Sequence, residues 1–268
     1  MKISVFTLIK NEVDYIGYCI MSILDYVDEF IYYDGNSTDG TIELIEYIKN
    51  KYDKTDKIKL FKNKDPKDLQ DDYIKLFNGC LKKCTGDYIW FLHPDMIVVN
   101  PESIRSQIDG TSIRYNINMT SFAGNREHII TAGRSNKWAT IFKNDFGLHF
   151  WGFYGHQHED FYLRDITGEE HVLYACKKYK PYNIANTDIQ SYHYCDTRPY
   201  MRRYDRMRKI LLNNGYHVTR AVEDAKIHPR VTLESGSYQS QKFIIGKFIG
   251  KQPIVFDKYF NEFIRFKK

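Results

Sequence analysis

The chain has 268 residues, 43% hydrophobic and 27% charged, which is long and apolar enough to close a core without disulfide or metal staples. No run of about 18 apolar residues occurs, so no membrane-spanning helix is expected, and the apolar stretch Met1–Phe6 is shorter than a secretory leader. The net charge of +5 is uneven: from Asp196 onward 16 Lys and Arg face 7 Asp and Glu, a local +9, while the first 195 residues sum to −4.

The first hundred residues alternate between two periods. Lys2 to Leu8 is an apolar run of strand length, and Ile16, Ile20, Ile23, Leu24 and Val27 then share one helical face. Glu29 to Tyr33 predicts a second strand, and Leu44, Ile45, Ile48 and Tyr52 a second helix. Ile58 to Phe61 follows as a short strand. Leu69, Tyr73, Leu76, Phe77, Cys80 and Cys84 form a helical stripe that stops at Gly86, and Asp87 to Leu92 is the fourth strand. Three strand–helix units in a row predict an α/β fold with a mostly parallel central sheet flanked by helices.

After Asn100 the rhythm changes. Thr111 to Phe122, Ala139 to Phe142, His171 to Tyr174 and Ile189 to Tyr194 read as strands between polar loops. Pro199 to Leu212 reads as a helix with proline at its first position, and Val255 to Phe266 as a closing amphipathic helix. The expected division is a nucleotide-binding α/β half over 1–100, an acceptor half over 101–198, and a basic, partly helical extension over 199–268. Five cysteines, an odd number without paired zinc spacing, fit a reducing compartment such as the cytoplasm. Cys80 and Cys84, four apart on the buried stripe, read as core packing.

The element Asp34-Gly35-Asn36-Ser37-Thr38-Asp39-Gly40-Thr41 ends a strand and opens a helix. A carboxylate at a strand's carboxyl end, ahead of a helix N-terminus, is where open α/β sheets hold nucleotides. Asp39 has a competing task, since Ser, Thr and Asp are preferred cap residues. Glu12 can equally favour a first helical turn through the dipole. His93-Pro94-Asp95 follows the fourth strand and offers a metal ligand for a diphosphate. Further on, Trp151 to Asp160 joins aromatics to the acids Glu159 and Asp160. Either acid can take a proton from an attacking hydroxyl, and both also suit a helix N-terminus. Zinc on His156 and His158 lacks a third ligand at a recognisable spacing. His193 ends a strand ahead of Arg202 and Arg206, which are four apart on one helical face; Arg203 is rotated away. These arginines suit either a departing diphosphate or a solvated basic face.

In their order these elements resemble family 2 glycosyltransferases of the GT-A class, especially the bacterial group related to lipopolysaccharide core β-glucosyltransferases. The resemblance runs from Thr7-Leu8-Ile9-Lys10-Asn11-Glu12 through the Asp34–Thr41 element, Asn78, Gly86–Leu92, His158-Glu159 and His193-Tyr194. It implies a GT-A fold in which Thr7, Asn11, Glu12, Asp34 and Asp39 surround the base and ribose of a nucleoside-diphosphate sugar, UDP-linked by expectation. It also implies a divalent ion, Mn²⁺ or Mg²⁺, on Asp95 and His193, a base at Glu159, and inverting transfer to an acceptor hydroxyl. The usual Asp-x-Asp is altered: His93 replaces the first acid and Met96 a trailing one, so His93 is a third candidate ligand and favours Mn²⁺, which accepts imidazole nitrogen better than Mg²⁺ does.

The resemblance points to a glycan, lipid-linked glycan or lipopolysaccharide acceptor. The basic last third also admits a hydroxymethylated base in phage DNA. Expected locations are the cytoplasm, the inner-membrane surface, or a host cytoplasm if phage-encoded. A sugar-nucleotide pyrophosphorylase would need a glycine-rich loop after the first strand, and Thr7 to Asp14 contains no glycine. A dinucleotide oxidoreductase would need G-x-G-x-x-G, which is absent. A non-catalytic binding protein on the same scaffold remains the alternative.

Overall fold

A computed structural model describes residues 1–62, 69–123, 125–132, 139–144, 149–153, 161–164, 170–172, 184–197 and 244–268. The chain forms two compact units. The first comprises residues 1–119, 137–191 and 253–268, and the second residues 120–136 and 192–252.

The first unit opens with β1 (Ile3–Ile9), α1 (Ile16–Ile23), β2 (Glu29–Asp34), α2 (Thr41–Tyr52), β3 (Ile58–Lys62), α3 (Leu69–Lys83) and β4 (Tyr88–Phe91). Strands β1, β2, β3 and β4 are parallel, in the order β3-β2-β1-β4. Beyond β4 come β8 (Ala139–Lys143) and then the first half of β6 (Arg114–Ala123), both antiparallel additions. The predicted α/β class, with a mainly parallel sheet and helices against it, is the one found. Short β5 (Met96–Val98) pairs with the long β12 (Ile184–Asp196), and a 3₁₀ turn and the four-residue α4 (Ile104–Gln107) follow β5. A small antiparallel sheet, β11-β10-β9, is built from β9 (His149–Phe153), β10 (Phe161–Arg164) and β11 (Glu170–Val172).

The strands read as almost unbroken apolar runs because both sheet faces are covered. Side chains alternate across the pleat. Phe6, Ile31, Ile89 and Phe91 meet Phe77, Cys80, Leu81 and Cys84 of the α3 region on one face. Val5, aligned with Phe30 and Trp90, belongs to the other. The core placement of Cys80 and Cys84 holds: burial pushes the Cys80 thiol up to about 12, and Cys84 higher still.

The closing helix α5 (Ile254–Phe263) ends in a 3₁₀ turn, Ile264–Phe266. It lies on α1, with the Tyr18 ring 4.7 Å from Phe256 and 5.4 Å from Phe263. Gly17 permits that approach, since a β-carbon there would sit 2.8 Å from the Phe263 ring.

The second unit takes the end of β6, β7 (His128–Ala132), the end of β12 and β13 (Ile244–Lys247), with β13 antiparallel to β7. Among its described residues Phe122 stacks on Tyr194 at 4.7 Å and meets Phe248 edge-on at 4.9 Å. The Tyr194 hydroxyl donates to Gln252 Oε1, and Gln252 Nε2 donates to the Arg126 carbonyl, each at 2.8 Å. The predicted helix over Pro199–Leu212 lies outside the described residues.

Candidate functional site

The strand order by itself marks out a candidate site. From β1 the chain steps outward to β2 and β3, then returns to place β4 on the other side of β1. At such a reversal the connections leave in opposite directions and a crevice opens above the strands' carboxyl ends. Those ends carry Asn11 and Glu12 after β1, Asp34 at the end of β2, and His93 and Asp95 after β4.

The loops after β1 and β2 are sewn together by side chains. The Gly35 N–H donates to the Ile9 carbonyl at 2.8 Å. Ser37 is the pivot: its hydroxyl donates to Asp34 Oδ1 at 2.6 Å and accepts the Asn11 N–H at 2.9 Å. Ser37 N–H also reaches both Asp34 oxygens, at 3.2 and 3.1 Å. Asn11 returns the link, its Oδ1 accepting the Thr38 N–H at 2.9 Å. Both loops turn through left-handed asparagines, Asn11 at φ 56° and Asn36 at φ 63°, a conformation asparagine tolerates better than most residues. Asp34, 4% exposed, is therefore oriented from within. Among the described residues its Oδ2 accepts one bond, from the Ser37 N–H, and a carboxylate oxygen can accept a second from a ligand's N–H or hydroxyl.

Asp39 is tied into the structure through both oxygens. Oδ1 accepts from Thr41 N–H at 3.0 Å and from Thr41 Oγ1 at 2.5 Å, and Oδ2 accepts the Val13 N–H at 3.2 Å. The cap position of α2 itself falls to Gly40, at φ 100°. Thr41 Oγ1 accepts the Glu12 N–H at 2.7 Å, so the D-G-T end of the motif also joins the two loops. Thr7 is buried on β1, its hydroxyl directed at the Leu8 carbonyl at 3.3 Å.

After β4, His93-Pro94-Asp95 forms a tight turn closed by Met96 N–H donating to the His93 carbonyl at 3.0 Å. The His93 ring is half-buried against Phe91, with centroids 4.7 Å apart. Asp95 is 2% exposed. Beneath the turn the Cys19 thiol donates to the same His93 carbonyl at 3.6 Å. Burial, and behind it the negative charges of Asp95 and Glu12, push that thiol far above its ordinary range. Carboxylates after β1 and β4 thus both lie near one buried point of α1.

The sequence profile of glycosyl transferase family 2 matches residues 4–171, well over half of the chain. The chain belongs to glycosyl transferase family 2. No curated protein matches it significantly. Among solved structures, TarS residues 1–349 of S. aureus is 18% identical, with a TM-score of 0.46 over 79% of this chain and 65% of that one. A mannosyltransferase, PcManGT of Pyrobaculum calidifontis, solved with GDP-Man and Mn²⁺, is 12% identical over 84% and 68%, at a TM-score of 0.44. Glucosyl-3-phosphoglycerate synthase of Mycobacterium tuberculosis, solved with Mn²⁺ and UDP-glucose, is 20% identical over 44% and 43%, at 0.31. This family 2 chain spans about two thirds of the TarS 1–349 length and 39% of the longer TarS structure.

Of the residues singled out in the sequence, the fold gathers Thr7, Asn11, Glu12, Asp34 and Asp39 around the β1 and β2 ends, and His93 and Asp95 at the β4 end. His193 lies in the second unit, buried on β12. Glu159 and Asp160, between β9 and β10, and Arg202 and Arg206 fall outside the described residues. Among the described residues no three His, Cys, Asp or Glu side chains converge on one point. A divalent ion at Asp95, beside His93, would take diphosphate oxygens and water among its further ligands. Ser37 is the residue that sequence reasoning passed over. Its place three residues after Asp34, where it can close a local turn on the carboxylate, was the available signal.

Proposed function

We propose that this family 2 protein transfers a sugar from a nucleoside-diphosphate donor, UDP-linked, to an acceptor hydroxyl with inversion at the anomeric carbon. The observation that carries this is the pair of acidic strand ends on either side of the sheet's order reversal: Asp34, held by Ser37, and Asp95, on its tight turn. Asp34, with the Asn11 and Glu12 loop, receives the base and ribose. Asp95 and His93 hold the divalent ion, Mn²⁺ by the imidazole argument, which when bound neutralises charge on the leaving diphosphate.

The acceptor oxygen forms its bond to the anomeric carbon as the bond from that carbon to the diphosphate oxygen breaks, and the electron pair leaves with the nucleotide. Glu159, or Asp160 next to it in sequence, takes the acceptor proton. The acceptor class we infer is a surface glycan or lipid-linked glycan hydroxyl. Binding to duplex DNA that falls steeply with salt would instead assign the basic residues after 196 to a nucleic-acid acceptor.

A panel of UDP-, GDP- and other activated sugars incubated with the protein and Mn²⁺ tests donor and chemistry together. Slow hydrolysis of one donor class, abolished by Asp95→Ala and slowed far more than donor binding is weakened by Glu159→Gln, is the expected pattern. Full activity in Asp95→Ala removes the metal assignment, and an unchanged rate in Glu159→Gln moves the base to Asp160.

A further inference from the structure

The residues after α5 bond to the two loops that shape the donor side of the crevice. Gly40, the cap of α2, touches them directly: a β-carbon there would fall 1.7 Å from the Phe266 carbonyl oxygen. The Lys268 N–H donates to the Asp39 carbonyl at 3.1 Å. The Lys267 ammonium sits 2.8 Å from Asp14 Oδ1, a carboxylate whose side chain is 8% exposed. The Lys268 side chain reaches Glu43 in the first turn of α2.

Asp14 belongs to the loop after β1, while Asp39, Gly40 and Glu43 follow β2, so one short segment bonds both loops. It does so next to the place where Val13 and Asp39 already join them. The segment is itself anchored. The Phe266 ring packs 5.1 Å from Tyr47, and Glu262 accepts hydrogen bonds from Tyr47, Lys51 and Tyr52 at 2.5 to 2.9 Å.

We propose that Ile264–Lys268 is a clasp that holds the β1–α1 and β2–α2 loops in the shape that receives a nucleotide, with Lys267 as its positioning residue. The inference rests on the nucleotide reading of that crevice. Two loops that must be ordered on binding weaken affinity by the cost of ordering them, and a brace that orders them beforehand removes that cost. The bonds of the clasp run to the elements after β1 and β2, so donor affinity should depend on it more than turnover does.

Lys267→Met and Lys267→Arg in the full chain supply the test, with amide hydrogen exchange and calorimetric titration of UDP and of GDP in Mn²⁺ as readouts. The methionine variant should exchange faster at residues 12–15 and 37–41. It should also bind the nucleotide roughly three- to fivefold more weakly, with turnover at saturating donor within about twofold of wild type. The arginine variant should restore both readouts. Unchanged nucleotide affinity in Lys267→Met, or unchanged exchange at the two loops, overturns the clasp. Absence of UDP and GDP binding in the wild-type protein overturns the nucleotide reading itself and takes the clasp with it.

Discussion

Ser37 shows how much of this site rests on a single hydroxyl. It donates to a nearly buried carboxylate and accepts a backbone N–H from a loop 26 residues away. Ser37→Ala leaves Asp34 with weaker contacts and the Asn11 N–H without its acceptor. An unmade hydrogen bond at a buried group costs about 1–3 kcal/mol. The variant should lose stability of that order in urea titration and bind UDP less tightly, with Ser37→Thr closer to wild type. Equal stability and affinity in Ser37→Ala would show that Asp34 is oriented by something else. The acids at the strand ends were legible in the sequence because a carboxylate that closes an apolar run is conspicuous. The orientation of Asp34 comes from Ser37, a local partner three residues on; what ties down Ser37 and Asp39 was not legible, because Asn11 and Val13 lie in a loop distant along the chain. Asp39 illustrates the ambiguity: turn chemistry and ligand contact call for the same residue type, and the fold shows both its oxygens bonded to the protein.

At the scale of elements, helix α5 and the glycine it approaches make the clearest case. Its apolar spacing predicts an amphipathic helix over Val255–Phe266, and the fold supplies one as α5 with its 3₁₀ extension. What it docks on could not be read, because Gly17 and Gly40 look like ordinary glycines until Phe263 and the Phe266 carbonyl are placed beside them. Gly40→Ala meets two penalties at once, a left-handed φ and a backbone oxygen in the way of the new methyl. A strained backbone site of this kind costs about 1–3 kcal/mol, so thermal unfolding should come several degrees lower. An unchanged melting temperature would mean that the C-terminal segment does not lie against Gly40.

Glu262 adds a pH dependence to the same docking. Burial raises its carboxyl, but the donors Tyr47, Lys51 and Tyr52 outweigh burial and leave it below the ordinary glutamate value. A carboxyl depressed in the folded state stabilises fully above its unfolded value, about 4.3. That contribution is lost as pH falls through the lower folded value. Melting temperatures followed from about pH 6 to about pH 3 should therefore fall less steeply in Glu262→Gln than in wild type; parallel curves would remove the assignment. Strands β7 and β13 were missed for a related reason. Each is short, and β13 pairs with a partner more than a hundred residues earlier, so no local period announces either.

For the whole molecule, three strand–helix units in the sequence led to the parallel half of the sheet, and a set of short motifs in the right order led to family 2. The antiparallel additions on the far side of β4 depend on long-range pairing and were only partly foreseen. In the proposed function the crevice above β1, β2 and β4 holds a nucleotide through Asp34 and a divalent ion through Asp95. A crystal structure of the wild-type protein with UDP and Mn²⁺ tests it most directly. Uridine should lie within hydrogen-bond reach of Asp34, about 3 Å, and the metal should be coordinated by Asp95 at about 2.0–2.2 Å, as expected for a small divalent ion on a carboxylate. A nucleotide bound elsewhere, or a metal held without Asp95, would contradict it.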